Sequence, residues 1–183
     1  MAYWGIGMDY RLEPLSVREF SENVLDQPQQ AMEFVRLDAG SEWAARQTAF
    51  ILLGQGKLSE ARQSIKRTSD APLMGRDLIQ GCLDPQQISQ LDKAAKRIEA
   101  AALAGADPEP KFWMGAALSY CGQKDAALRL LRIAVEQNYC AYAALQTDPL
   151  LVKLRRSPEI SELLSNAKQC QNRFLAQRDQ SSY

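Results

Sequence analysis

The side chains that could carry out chemistry in this chain are lysines, tyrosines, carboxylates and cysteines, because its 183 residues include no histidine. Histidine is the usual general base near neutral pH and the commonest metal ligand. Catalytic triads built on histidine and histidine-ligated metal centres are therefore excluded. No pair of carboxylates lies in a context typical of acid–base catalysis. We expect a non-catalytic protein without a metal or a cofactor; an enzyme that uses lysine, tyrosine or carboxylate chemistry is the least favoured alternative.

The four cysteines of the chain are Cys82, Cys121, Cys140 and Cys170. None of them belongs to a C-x-x-C pattern, which is typical of zinc sites and of thioredoxin-like redox sites. Cysteines that stand alone on helical faces commonly pack as small apolar side chains, and we expect this here. A disulfide such as Cys121–Cys140 is the alternative.

The charges balance, with 22 Lys and Arg against 22 Asp and Glu, so the formal net charge is zero. Because nucleic-acid binding depends on neutralising phosphates, this balance argues against a nucleic-acid partner. The charges are unevenly distributed: residues 1–40 carry 3 positive and 7 negative charges, and residues 111–183 carry 10 and 6. Solvated helix faces explain this gradient most simply; a charge-matched partner or a head-to-tail homodimer is the alternative.

Composition and helix-boundary signals predict an all-α protein. Alanine, leucine and glutamine dominate while β-branched residues are few, which favours helix over strand. Serine, aspartate and proline at helix starts, and glycine at helix ends, divide the chain into short segments. These signals predict eight to ten helices, among them one that starts at a capping box formed by Ser16 and Glu19 and one that opens at Asp148-Pro149. The others lie over residues 28–35, 41–53, 57–69, 85–103, 111–121, 124–136 and 158–177.

The sequence also bears on the location of the chain. No segment has the basic and apolar pattern of a targeting signal, and no apolar run is long enough to span a bilayer. We therefore expect a cytoplasmic chain without a membrane span. A periplasmic location is the alternative, in case the chain is part of a longer membrane-anchored protein.

A repeat of 33 residues runs through the middle of the chain, anchored by Ala61, Ala94 and Ala127. Four further columns share a residue type: an aliphatic residue four positions later (Ile65, Ile98, Leu131), a small residue or threonine seven later (Thr68, Ala101, Ala134), a small residue twelve earlier (Ala49, Cys82, Gly115) and, in two units, glycine five earlier (Gly56, Gly122). Offsets of four and seven lie on one helix face. The small residue on the preceding helix would let two helices approach closely, so the repeat predicts helix pairs.

This pattern resembles the tetratricopeptide repeat. The resemblance covers residues 41–136. In the third unit it is carried by Gly115, Gly122, Ala127, Leu131 and Ala134. It implies a right-handed superhelical array of antiparallel helix pairs, an α-solenoid with a concave groove. The middle unit departs from the pattern, because Asp84-Pro85 interrupts its first helix, and we expect that helix to be short and the next one to be long.

The end of the chain is similar to the segments that close tetratricopeptide arrays. The similarity is carried by Asn138 to Tyr142, Asp148-Pro149-Leu150, Leu154-Arg155 and Pro158-Glu159-Ile160. Such segments occur in bacterial signalling proteins whose N-terminal part is a serine/threonine kinase, an adenylate cyclase or a winged-helix regulator. The resemblance implies one helical domain over residues 1–183, with degenerate helices over 1–40, three repeats over 41–136 and closing helices over 137–183.

In the tetratricopeptide family, one face of the first helix of each unit lines the groove. The corresponding positions form the predicted partner-binding groove: Trp43, Arg46, Phe50, Arg76, Ile79, Phe112, Ser119 and Tyr120. An aromatic groove with a central arginine would bind an amphipathic helix or an extended peptide. Alternatively, the aromatic residues pack against neighbouring helices, and the arginines are solvated or pair with carboxylates such as Glu109.

The sequence therefore predicts a non-catalytic protein–protein interaction module that binds a peptide or a partner domain. The alternative is a regulatory or sensory module in the C-terminal part of a larger bacterial signalling protein. The two differ in whether the module acts on a separate protein or on an enzymatic neighbour in the same chain.

Overall fold

The computed structural model describes residues 28–38, 40–84, 86 and 88–181. These residues form nine α-helices, three short 3₁₀ turns and no strand. The helices are α1 (Pro28–Arg36), α2 (Glu42–Gly54), α3 (Leu58–Ile65), α4 (Arg76–Cys82), α5 (Ile88–Ala104), α6 (Pro108–Tyr120), α7 (Lys124–Glu136), α8 (Tyr142–Thr147) and α9 (Glu159–Ser181), and the turns are Pro72–Met74, Pro149–Leu151 and Leu154–Arg156. The all-α prediction is confirmed for this part of the chain; the capping box at Ser16 and Glu19 lies outside it.

Helices α2 and α6 begin at capping side chains. The hydroxyl of Ser41 accepts a hydrogen bond from the backbone N–H of Ala44 at 2.9 Å, and the carboxylate of Asp107 accepts one from the backbone N–H of Glu109 at 3.0 Å. Each bond satisfies a donor that the helix itself leaves unpaired. The cap at Asp107 explains why α6 starts one turn before the predicted start at residue 111.

Glycines in the left-handed conformation lie in the turns of two helical hairpins. Gly56, between α2 and α3, has φ 74°, and Gly122, between α6 and α7, has φ 81°. Glycine adopts this conformation without steric cost. The prediction that both glycines lie in turns between helices is confirmed. Because the turns are tight, α2 packs on α3 and α6 packs on α7.

The middle pair of helices is unequal, as predicted. Helix α4 has 7 residues and α5 has 17. A Cβ added to Gly81 of α4 would lie 3.2 Å from the Cα of Leu91, so the two helices are in close contact there. Helix α5 begins at Ile88, later than the predicted residue 85. Ahead of it, the carboxylate of Asp84 accepts a hydrogen bond from the backbone N–H of Gln86 at 3.0 Å.

The repeated small residues are buried in the core. Ala61, Ala94 and Ala127 are 0%, 3% and 0% exposed. A Cβ added to Gly115 of α6 would lie 2.8 Å from the Cγ of Leu131 on α7. Helices α6 and α7 therefore approach each other more closely than an alanine would allow. The prediction that a small side chain permits close approach is confirmed for this hairpin.

The last part of the described chain contains what we call the closing unit, residues 140–170. It comprises α8, the turns Pro149–Leu151 and Leu154–Arg156, and the first half of α9. Helix α9 packs on α7 and α8, and its buried residues recur at helical spacing: Ile160, Leu163, Ala167 and Cys170. Asp148-Pro149 opens a single 3₁₀ turn, and α8 was not among the predicted helices.

The cysteine prediction is wrong, because all four cysteines form disulfides. Cys82 at the end of α4 is bonded to Cys121 after α6, with a Cα–Cα distance of 5.2 Å. Cys140 is bonded to Cys170 of α9, with a Cα–Cα distance of 5.3 Å. The alternative pairing Cys121–Cys140 is also wrong. Spacing could not show the pairing, since it depends on which helix ends meet in the folded chain.

Ion pairs connect α5, α7 and α9 on the outside of the fold. Arg129 of α7 binds Glu99 of α5, and Lys124 of α7 lies 2.8 Å from Glu159 of α9. The hydrogen bond from Arg129 lowers the pKa of Glu99, and the bond from Lys124 lowers the pKa of Glu159 to about 2. These basic residues are thus partnered by carboxylates on neighbouring helices, although exposed pairs of this kind stabilise a fold only weakly.

Candidate functional site

The eight residues of the predicted groove lie on α2, α4 and α6, and most of them are part of the core. Five are buried: Arg46, Phe50, Ile79, Phe112 and Ser119. Three are partly exposed: Trp43, Arg76 and Tyr120. Whether any of the eight contacts a partner stays a prediction. The partly exposed residues are the ones that a partner could reach without unpacking the core.

Arg46 of α2 is buried. It is 8% exposed, and its Nη1 donates a hydrogen bond to the carbonyl of Leu73 at 3.0 Å. Burial lowers the pKa of Arg46, while the charge of Glu109 raises it. Burial likewise raises the pKa of Glu109, while a hydrogen bond from Trp113 at 3.2 Å and the charge of Arg46 lower it. Arg46 thus interacts with the charge of Glu109, which agrees with the alternative interpretation of the sequence.

An aromatic cluster lies beside this polar pair. The ring of Phe112 is 5.6 Å from that of Trp113, edge to face, and 5.2 Å from that of Tyr139. Burial raises the pKa of the Tyr139 hydroxyl, and the charges of Glu109 and Asp107 raise it further. Phe112 therefore packs against neighbouring aromatic rings, as the alternative interpretation holds. Trp113 and Tyr139 were not among the predicted groove residues.

Arg76, at the start of α4, binds residues of the segment that follows α3. It is 2.8 Å from Asp70 and donates to the carbonyl of Lys66 at 3.0 Å. Next to it, Arg97 of α5 binds Asp77 of α4 at 2.6 Å. These four charged side chains line a shallow depression, and each arginine already has a carboxylate partner. The charged side chains that line the depression are thus paired with one another.

Tyr120 is the last residue of α6. The Nζ of Lys153 donates a hydrogen bond to the carbonyl of Tyr120 at 2.7 Å and lies 5.3 Å from the centre of its ring. A cation at this distance is attracted by the ring face. Lys153, which directly precedes the turn Leu154–Arg156, therefore binds the last residue of α6.

Two buried charged residues were not predicted from the sequence. Lys111 is 1% exposed, and its Nζ donates to the carbonyls of Gly105 and Asp107 at 2.6 and 2.9 Å, which joins the start of α6 to the end of α5. Asp148 is 2% exposed, and its carboxylate accepts the backbone N–H of Leu150 at 2.8 Å. Its Oδ2 has no hydrogen-bond partner among the described residues. The only sequence signal was the Asp148-Pro149 pair, which is typical of a capped turn.

The described part of the chain offers neither a metal site nor a membrane-spanning helix. No group of three or more cysteine, aspartate or glutamate side chains in it could hold a metal ion. None of its helices has both the length and the apolar character that crossing a bilayer requires.

The described residues form packed helical hairpins, and their charged side chains bind one another across neighbouring elements. Comparison with known proteins finds no matching family model, no matching curated protein and no matching solved structure. The predicted groove presents two partly exposed aromatic rings, Trp43 and Tyr120, and an arginine, Arg76, in an ion pair with Asp70.

Proposed function

We propose that this chain is a non-catalytic interaction module, a tetratricopeptide-like array that binds a peptide or a partner domain. The observation that carries the proposal is the burial of equivalent residues 33 positions apart. Ala61, Ala94 and Ala127 are all at most 3% exposed. Equivalent packing in successive helix pairs is what stacks such pairs into a superhelical array.

The partner would contact the partly exposed residues of the predicted groove. Trp43 and Tyr120 are aromatic, and residues of this type contribute most strongly when a partner covers them. Arg76 adds a charged contact near α4. A nucleic acid is not the proposed partner, because Arg97, Arg129 and Lys124 are bound to carboxylates of the chain itself.

We further propose that the module works in an oxidising compartment, such as the periplasm or the cell exterior, and not in the cytoplasm. Disulfides persist in such compartments and are rare in the cytosol. The two disulfides also favour the second candidate function, a regulatory or sensory module of a larger bacterial signalling protein. In that protein the module would lie across a membrane from a cytosolic enzymatic domain.

The test is capture of partners by immobilised chain from a periplasmic or secreted protein extract. The variants Trp43→Ala and Tyr120→Ala should each lower the affinity for the recovered partner at least tenfold, because each removes an aromatic contact. Leu103→Ala on α5 is the matched control, since Leu103 is 43% exposed and lies outside the predicted groove. If both groove variants retain every partner, the groove is not the binding surface.

A further inference from the structure

We draw no further inference here: the strongest candidate, the side-chain cluster of the buried Arg46 on α2 and the half-buried Glu109 on α6, belongs to the predicted groove already described, and nothing in the structure shows which ligand it would hold.

Discussion

At the scale of single residues, the most consequential group is the buried carboxylate of Asp148. Burial raises the pKa of Asp148 to about 6, against which the bond from the backbone of Leu150 and the charge of Arg155 act only partly. The folded chain therefore binds this proton more tightly than the unfolded chain, in which the pKa is near 3.8. Its stabilising effect is present below pH 3.8 and is lost as the pH rises through about 6.

Asp148→Asn should remove this pH dependence. The native chain should lose up to about 3 kcal/mol of unfolding free energy through Asp148 between pH 4 and pH 7.5, since one pKa unit corresponds to about 1.4 kcal/mol. Asparagine keeps an oxygen for the backbone N–H of Leu150 but does not ionise. Urea unfolding of both chains across this pH range measures their unfolding free energies. Subtracting one from the other at each pH cancels the contribution of Glu109, which both chains contain. Parallel profiles for the two chains would contradict the prediction.

At the scale of elements, the α6–α7 hairpin depends on Gly115, because no larger side chain fits where the two helices are in contact. The Cβ of an alanine at position 115 would lie 2.8 Å from the Cγ of Leu131 and 3.3 Å from the carbonyl of Ala127. One of these two is backbone, so the neighbours cannot both move aside by rotating a side chain. The two helices would have to separate.

Gly115→Ala should therefore destabilise the chain by about 1–3 kcal/mol, even though alanine favours helix over glycine by about 1 kcal/mol. Gly105→Ala is the matched control, because a Cβ there would meet only the carbonyl of Ala102 at 3.8 Å. Thermal or urea unfolding of the two variants beside the native chain measures the effect. A Gly115→Ala variant as stable as the control would show that the hairpin tolerates the added methyl group.

At the scale of the whole molecule, two disulfides link parts that are distant in sequence. Cys82–Cys121 spans 39 residues and Cys140–Cys170 spans 30. Loops of this size restrict the unfolded chain, so each disulfide is expected to contribute about 4 kcal/mol to the unfolding free energy. The two disulfides are thus expected to supply a large share of the stability of the fold.

Peptide mapping of the oxidised chain should recover these two linkages, and reduction should lower the denaturation midpoint. Cys82→Ser/Cys121→Ser is expected to lose about 4 kcal/mol, because it removes one constraint and leaves the other. Urea unfolding with and without a dithiol measures this. Recovery of a Cys121–Cys140 peptide, or equal stability of reduced and oxidised chains, would be inconsistent with the structure.

Local signals in the sequence were sufficient to predict the helical class and many helix boundaries. Ser41 and Gly56 act within a few residues of themselves, so their capping and turn roles follow from residue type alone. The 33-residue spacing of Ala61, Ala94 and Ala127 likewise identified residues that are buried. The short α4 followed from the Asp84-Pro85 interruption for the same local reason.

Only the tertiary structure decided the features that depend on distant contacts. The pairing of Cys82 with Cys121, the burial of Lys111 and Asp148, and the docking of Pro149 on Gly54 each join segments that the sequence separates. The groove shows the same limit: periodicity identified the helix face that includes Phe50 and Phe112, but which neighbours cover that face is determined by the path of the whole chain. Residue type and spacing determine local structure, whereas burial and pairing depend on which elements meet in three dimensions.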